Sequence, residues 1–170
     1  VKYHHTVFTI PSELRILFKY NKKLLYNLLF KCAWDTIDSF SKNPINRIEA
    51  KMGMIAILHT WKQDLEYHPH LHCIVPSGGI TSNNKWKSSP TKGDYLFNTE
   101  ALALTFKGKF MWYLKKYFKD GDLKFWDLQN QTPKQYFYQL KETLYTKNWV
   151  IYSKKSFHNE HSVFEYLGRY

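Results

Sequence analysis

The hydrophobic period of this sequence switches repeatedly between two residues and three to four, and the order of the switches limits the folds open to it. Lys2 to Ile10 (KYHHTVFTI) alternates and is rich in β-branched and aromatic residues, which predicts a strand closed by Pro11. From Ser12 to about Phe40, Leu14, Leu17, Phe18, Leu24, Leu25, Leu28 and Leu29 recur at helical spacing, as one long helix or two broken near Asn21. Gly53 to Trp61 (GMIAILHTW) is a second strand, apolar enough to be central in a sheet, and His70 to Val75 is a third. The short polar connector Lys62 to Pro69 makes these two an antiparallel pair. Pro76-Ser77-Gly78-Gly79 ends the third strand, and Thr81 to Asp94 reads as a polar surface loop. Asn98 to Phe118 is helical, with Gly121 as its stop. Thr132-Pro133-Lys134-Gln135 opens another helix through a capping box with Pro at the first helical position. Trp149 to Lys154 is a fourth strand, and Asn159 is placed to cap a last helix in which Val163, Tyr166, Leu167 and Tyr170 share one stripe. This order predicts a single α+β domain over residues 1–170, a small antiparallel sheet covered by helices on one side, with the other face left for a ligand.

Composition narrows the function. Hydrophobic residues make up 44% and charged residues 23%, a globular balance, and no apolar run approaches the roughly 18 residues needed to span a bilayer. The 25 Lys+Arg against 14 Asp+Glu leave a net charge of +11, which favours a polyanionic partner. Cys32 and Cys73 match no disulfide or CxxC framework, so a reducing cytoplasm is the simpler expectation. A start at Val1 and a stop at Tyr170 inside a predicted helix suggest a fragment of a longer protein.

Three of the eight histidines fall within five positions, His68, His70 and His72 of HPHLH. On a strand alternate side chains share a face, so His70 and His72 project together while Leu71 and Cys73 face the apolar side. Two imidazoles on one face are half of a metal site. His68 precedes Pro69, which has no N–H to give a ladder, so His68 is expected just outside the strand. A third ligand has to come from elsewhere, and Gln63, Asp64 and Glu66 on the connector each offer an oxygen.

Tyr166 and Tyr170 stand at i and i+4 on the last helix, adjacent on one face. The same spacing occurs at Tyr113 and Tyr117, where core packing explains it, and the chain has 13 tyrosines. What sets the terminal pair apart is chemistry shared with the histidines. A phenol of pKa about 10 is a poor nucleophile at neutral pH, yet beside a metal that polarises a phosphodiester it attacks phosphorus to give a covalent phosphotyrosine.

H-hydrophobe-H on a strand, a Y-x-x-x-Y helix, and the ordered stretches YHHTVFTIPSELR, KLLYNLLF, LHTWKQDLEYHPHLHCIVPSGG, FKGKF, WVIYSKKSF and VFEYLGRY together resemble the HUH endonuclease superfamily, in particular two-tyrosine rolling-circle transposases of insertion sequences (IS ninety-one type). The resemblance implies a ferredoxin-like HUH nuclease fold acting on single-stranded DNA at transposon ends in a prokaryotic, nucleoid-associated cytoplasm, with no membrane. It implies strand cleavage and transfer through a 5′-phosphotyrosine with Mg²⁺ or Mn²⁺. Residue by residue, His70 and His72 match the metal pair, Tyr166 and Tyr170 the nucleophile pair, and Gln63, seven positions before His70, the third ligand. Lys85, Lys87, Lys154 and Lys155 are candidate phosphate contacts. Ser77 and Ser156 depart from the Gly and Pro usual at their positions, and the upstream zinc-binding segment and the sequence beyond the second tyrosine are missing. The competing expectations are a catalytically silent single-strand-binding remnant and a rolling-circle replication initiator.

Overall fold

A computed structural model describes residues 1–91, 95–157 and 160–167, apart from the side chains of 155–157, 160, 161, 164 and 167. Six strands and five α-helices follow in the order β1 (Tyr3–Thr9), α1 (Arg15–Tyr20), α2 (Lys22–Lys42), β2 (Ile55–Trp61), β3 (Tyr67–Pro76), β4 (Gly78–Ile80), β5 (Trp86–Ser88), α3 (Thr99–Lys119), α4 (Pro133–Thr146), β6 (Ile151–Phe157) and α5 (Glu160–Leu167). The main sheet has the order β2-β3-β1-β6, with β1 antiparallel to β3 and β6, and β2 antiparallel to β3. This is an α+β fold with a small antiparallel sheet, consistent with the ferredoxin-like HUH arrangement.

Alternation decides the two faces. Along β1, His4, Thr6 and Phe8 are buried while His5, Val7 and Thr9 are half-buried on the other side. Leu71, Cys73 and Val75 of β3 join the buried face, against α1, α2 and α3. Phe8, Phe106, Phe110 and Trp149 form the aromatic centre of this core, with ring centroids 5.1 Å apart for Phe8–Phe106, 5.7 Å for Phe106–Trp149 and 5.5 Å for Phe110–Trp149. Such tilted pairs add to the area they bury.

Asn21 divides the first helical run. Its φ of −132° breaks the helix, while its side-chain Nδ2 donates to the carbonyls of Leu17 and Lys124 and its Oδ1 accepts from the Lys124 N–H. One buried amide thus joins the α1–α2 corner to the chain after α3. The Thr132–Gln135 capping box and the Asn98 side-chain cap of α3 are both present. Gly121, at φ 76°, closes α3, its N–H bonded to the Phe118 carbonyl and that of Asp122 to Tyr117.

Several expectations are corrected. β2 lies at an edge of the sheet, because β1 inserts between β3 and β6 and takes the central place that an apolar GMIAILHTW suggested for β2. His68 and Pro69 belong to β3, since a bulge sets both opposite the single Thr60 and so absorbs a residue without an N–H. Residues within 81–94 are not all loop: Thr81 Oγ1 accepts from the Lys85 N–H, Asn84 takes a left-handed φ of 58°, and the turn returns β5 onto β4. Trp149 precedes β6 and is buried, donating from Nε1 to the Leu144 carbonyl. Asn159, the expected cap of the last helix, lies outside the described residues, as does Tyr170. The helices are not confined to one side, because α5 packs on the second face, where Val163 meets Ile74 and Tyr3. No helix among the described residues is long and apolar enough to cross a membrane.

Candidate active site

The second face of the sheet carries the histidines in register. Reading across β2, β3 and β1, His59 pairs with His70 and His70 with Thr9. The next row is Ile57, His72, Val7 and, on β6, Tyr152. The third is Ile55, Ile74, His5 and Lys154. His59, His70, His72 and His5 therefore rise from three neighbouring strands on one side, and the rigid ladder fixes their spacing.

Ring centroids lie 5.4 Å apart for His59–His70, 4.2 Å for His59–His72, 5.0 Å for His70–His72 and 4.9 Å for His5–His72. One ligand atom from each of His59, His70 and His72 lies within 4.8 Å of the others, close enough to share an ion. His70 Nδ1 is 2.7 Å from the His68 carbonyl, a hydrogen bond that requires the proton on Nδ1 and leaves the Nε2 lone pair for a cation. Burial, then the neighbouring His59, His5 and His70, lowers the proton affinity of His72 to a pKa of about 3. Burial first, with His70 second, lowers His59 as well, and burial, His59 and Lys154 lower His5. Neutral imidazoles with available lone pairs are what a divalent metal needs, so this donor set fits one.

Tyr166 reaches the same cluster from α5. Val163 and Tyr166 are three residues apart on one helix face, and the contact of Val163 with Ile74 and Tyr3 sets the helix over the sheet. The phenol oxygen sits 2.9 Å from His72 Nδ1 and 3.2 Å from His5 Nε2, while those two nitrogens are 2.8 Å apart. With Nδ1 of His72 engaged here, its Nε2 is the nitrogen left toward His59 and His70.

The other sequence candidates are spread more widely. Gln63 is exposed in the turn between β2 and β3, closed by the Leu65 N–H on the Lys62 carbonyl and the Lys62 N–H on Glu66. Glu66 is held by Arg15 of α1 at 3.0 Å and by Lys62 at 3.6 Å, and Asp64 accepts from the Glu66 N–H within the turn, so both carboxylates have partners away from the histidine cluster. His68 accepts from Arg15 Nε at 2.9 Å, and burial together with Arg15 lowers its pKa to about 4. Lys154 is exposed in the row of His5. Lys155 is in register with His4, which belongs to the buried face of β1. Lys85 and Lys87 lie on the β4–β5 hairpin, beyond the C-terminal end of β3 and away from its histidines, and Lys87 pairs with Glu49 at 3.3 Å.

Two members of the cluster escaped the sequence reading. His59 was legible in principle, as the only histidine on the strand expected to pair with His70–Val75. His5 carried no such signal, because nothing local says that β1 lies beside β3.

Over residues 53–170 the sequence matches the transposase family Y2_Tnp, described as "Putative transposase". The chain belongs to this transposase family. It is 34% identical over 171 residues to "Putative transposase y4qJ" of Sinorhizobium fredii, covering 99% of this chain and 42% of that protein. It is 30% identical over 176 residues to "Transposase for insertion sequence element IS801" of Pseudomonas savastanoi pv. phaseolicola, covering 99% of this chain and 38% of that protein. The chain thus spans about two fifths of the length of these relatives. No solved structure matches it.

Proposed function

We propose that this chain is the nuclease part of a rolling-circle transposase, cleaving single-stranded DNA at transposon ends and transferring the strand through a 5′-phosphotyrosine. The observation that carries the reading is the convergence of a phenol from α5 on a three-histidine cluster of β2 and β3. His59, His70 and His72 would hold a divalent cation, which supplies a Lewis acid for the scissile phosphate. Three nitrogen ligands favour Mn²⁺ over Mg²⁺, whose preferred shell is oxygen. His59 takes the third place expected of Gln63, and Gln63 remains a nearby exposed amide for the DNA.

The chain's own residues prepare the nucleophile. His72 Nδ1 and His5 Nε2 hold the Tyr166 oxygen in one position; with its Nε2 lone pair turned to the cation His72 carries its own proton on Nδ1, so His5 Nε2 is the nitrogen placed to receive the phenol proton as the oxygen attacks phosphorus. The new bond joins the phenol oxygen to the 5′-phosphate, and the bond to the 3′-oxygen breaks, which leaves a 3′-hydroxyl able to reverse the step. Lys154, in the His5 row, supplies positive charge for the DNA backbone. Tyr170 is proposed as the second nucleophile.

A labelled single-stranded oligonucleotide carrying the transposon end, incubated with the protein and Mn²⁺, is expected to give an adduct that survives SDS. Tyr166→Phe combined with Tyr170→Phe, or His70→Ala alone, abolishes it. Binding without any adduct in the parent would refute the nuclease reading in favour of a silent binding module.

A further inference from the structure

We infer that Tyr152 is a stacking platform for a base of the strand next to the scissile phosphate. The inference rests on the single-strand reading above and adds to it a subsite that reads the face of one nucleobase.

Tyr152 is the β6 member of the row Ile57, His72, Val7, Tyr152. Its neighbour in sequence, Ile151, is 4% exposed and faces the core opposite Phe8, so the Tyr152 ring belongs to the histidine face. Two strand spacings separate it from His72, roughly 10 Å between backbones, which a nucleotide adjoining a phosphate at the cluster spans. The ring is 57% exposed, and among the described residues no other ring stacks on it and no side chain anchors its hydroxyl. A large aromatic left in water on a sheet edge gains most from a flat apolar partner.

Its surroundings suit a nucleotide and not a protein side chain. Half-buried Val7 forms an apolar floor between the ring and His72. Lys154, two residues on and on the same face, is exposed and stands in register with His5, which puts a cation beside the platform in the row that also holds the phenol's partner His5. An aromatic ring beside a positive charge on an open sheet is the combination that holds single strands, the ring taking a base and the charge a phosphate.

The test uses the full-length protein and a single-stranded transposon-end oligonucleotide, with each base flanking the cleavage point replaced in turn by an abasic residue. The parent is expected to lose roughly tenfold in affinity at one of these positions. Tyr152→Ala should weaken binding of the intact strand by a similar factor and be indifferent to the abasic residue at that position, whereas Tyr152→Phe retains the parent's sensitivity. A 2-aminopurine placed there should be quenched by the parent and the Phe variant and not by the Ala variant. If Tyr152→Ala responds to every abasic residue as the parent does, while the parent binds and cleaves, the platform is refuted and the nuclease reading stands. A parent that neither binds nor cleaves single strands overturns both.

Discussion

Removing His59 separates a three-ligand site from a two-ligand one. Its ring lies 4.2 Å from that of His72 and 5.4 Å from that of His70, and nothing else among the described His, Cys, Asp and Glu side chains joins the group. In the parent, Mn²⁺ at a hundredfold excess over its dissociation constant stabilises the folded state by about 2.7 kcal/mol. For a chain of this size that is a rise in unfolding midpoint of roughly 5–10 °C. Loss of a mere outer hydrogen bond to a ligand costs 10–100-fold in metal affinity, so loss of a ligand costs at least about 100-fold. At the same Mn²⁺ concentration His59→Ala then gains only about 0.4 kcal/mol, a shift of roughly 1 °C. The metal-free midpoint should barely move, because His59 is a half-buried residue of an edge strand whose removal also lifts proton-affinity pressure from His72. Differential scanning fluorimetry with and without Mn²⁺ reads both numbers. Gln63→Ala is the paired control and should keep the full shift. A His59→Ala protein that still rises by 5 °C or more, or a Gln63→Ala protein that does not, would show the third ligand to be misassigned.

Three further outcomes follow from other contacts. His5→Ala leaves the Mn²⁺ shift in place but lowers phosphotyrosine adduct yield by roughly a hundredfold, as loss of one of two groups holding the phenol should; yield at the parent level would contradict it. Asn21→Ala, which strands the Leu17 and Lys124 groups of the α1–α2 corner, should cost about 2–4 kcal/mol in urea unfolding, against near zero if water replaces the amide. Gly79→Ala places a methyl 2.5 Å from the Lys51 carbonyl oxygen, where β4 runs against that segment, and should cost about 1–3 kcal/mol in the same assay without changing the Mn²⁺ shift.

Where local chemistry is strong, the sequence was sufficient. The Thr132 capping box and the Gly121 stop need only a few neighbouring residues and are present as read, and of the two readings open for residues 12–40 the one broken at Asn21 is found. The pairing of β2 with β3 followed from a short connector, and the common face of His70 and His72 from the two-residue period of a strand. These are interactions of short range, so a single segment contains their cause.

The site as a whole is a different matter. An apolar GMIAILHTW looks central whether or not another strand lies beyond it, and only the insertion of β1 between β3 and β6 made β2 an edge. The bulge of His68 and Pro69 opposite Thr60 sets the register that brings His59 against His70, and a one-residue slip would have turned it to the other face. His5 and Tyr166 are separated by 161 positions and meet because β1 lies next to β3 and α5 folds back over Ile74. The sequence by itself determined that the imidazoles of His70 and His72 share one face of a strand and that Tyr166 lies on the last helix. Tertiary structure alone decided which further imidazoles join them, since strand order and register are settled by burial of the whole sheet and by no segment of it.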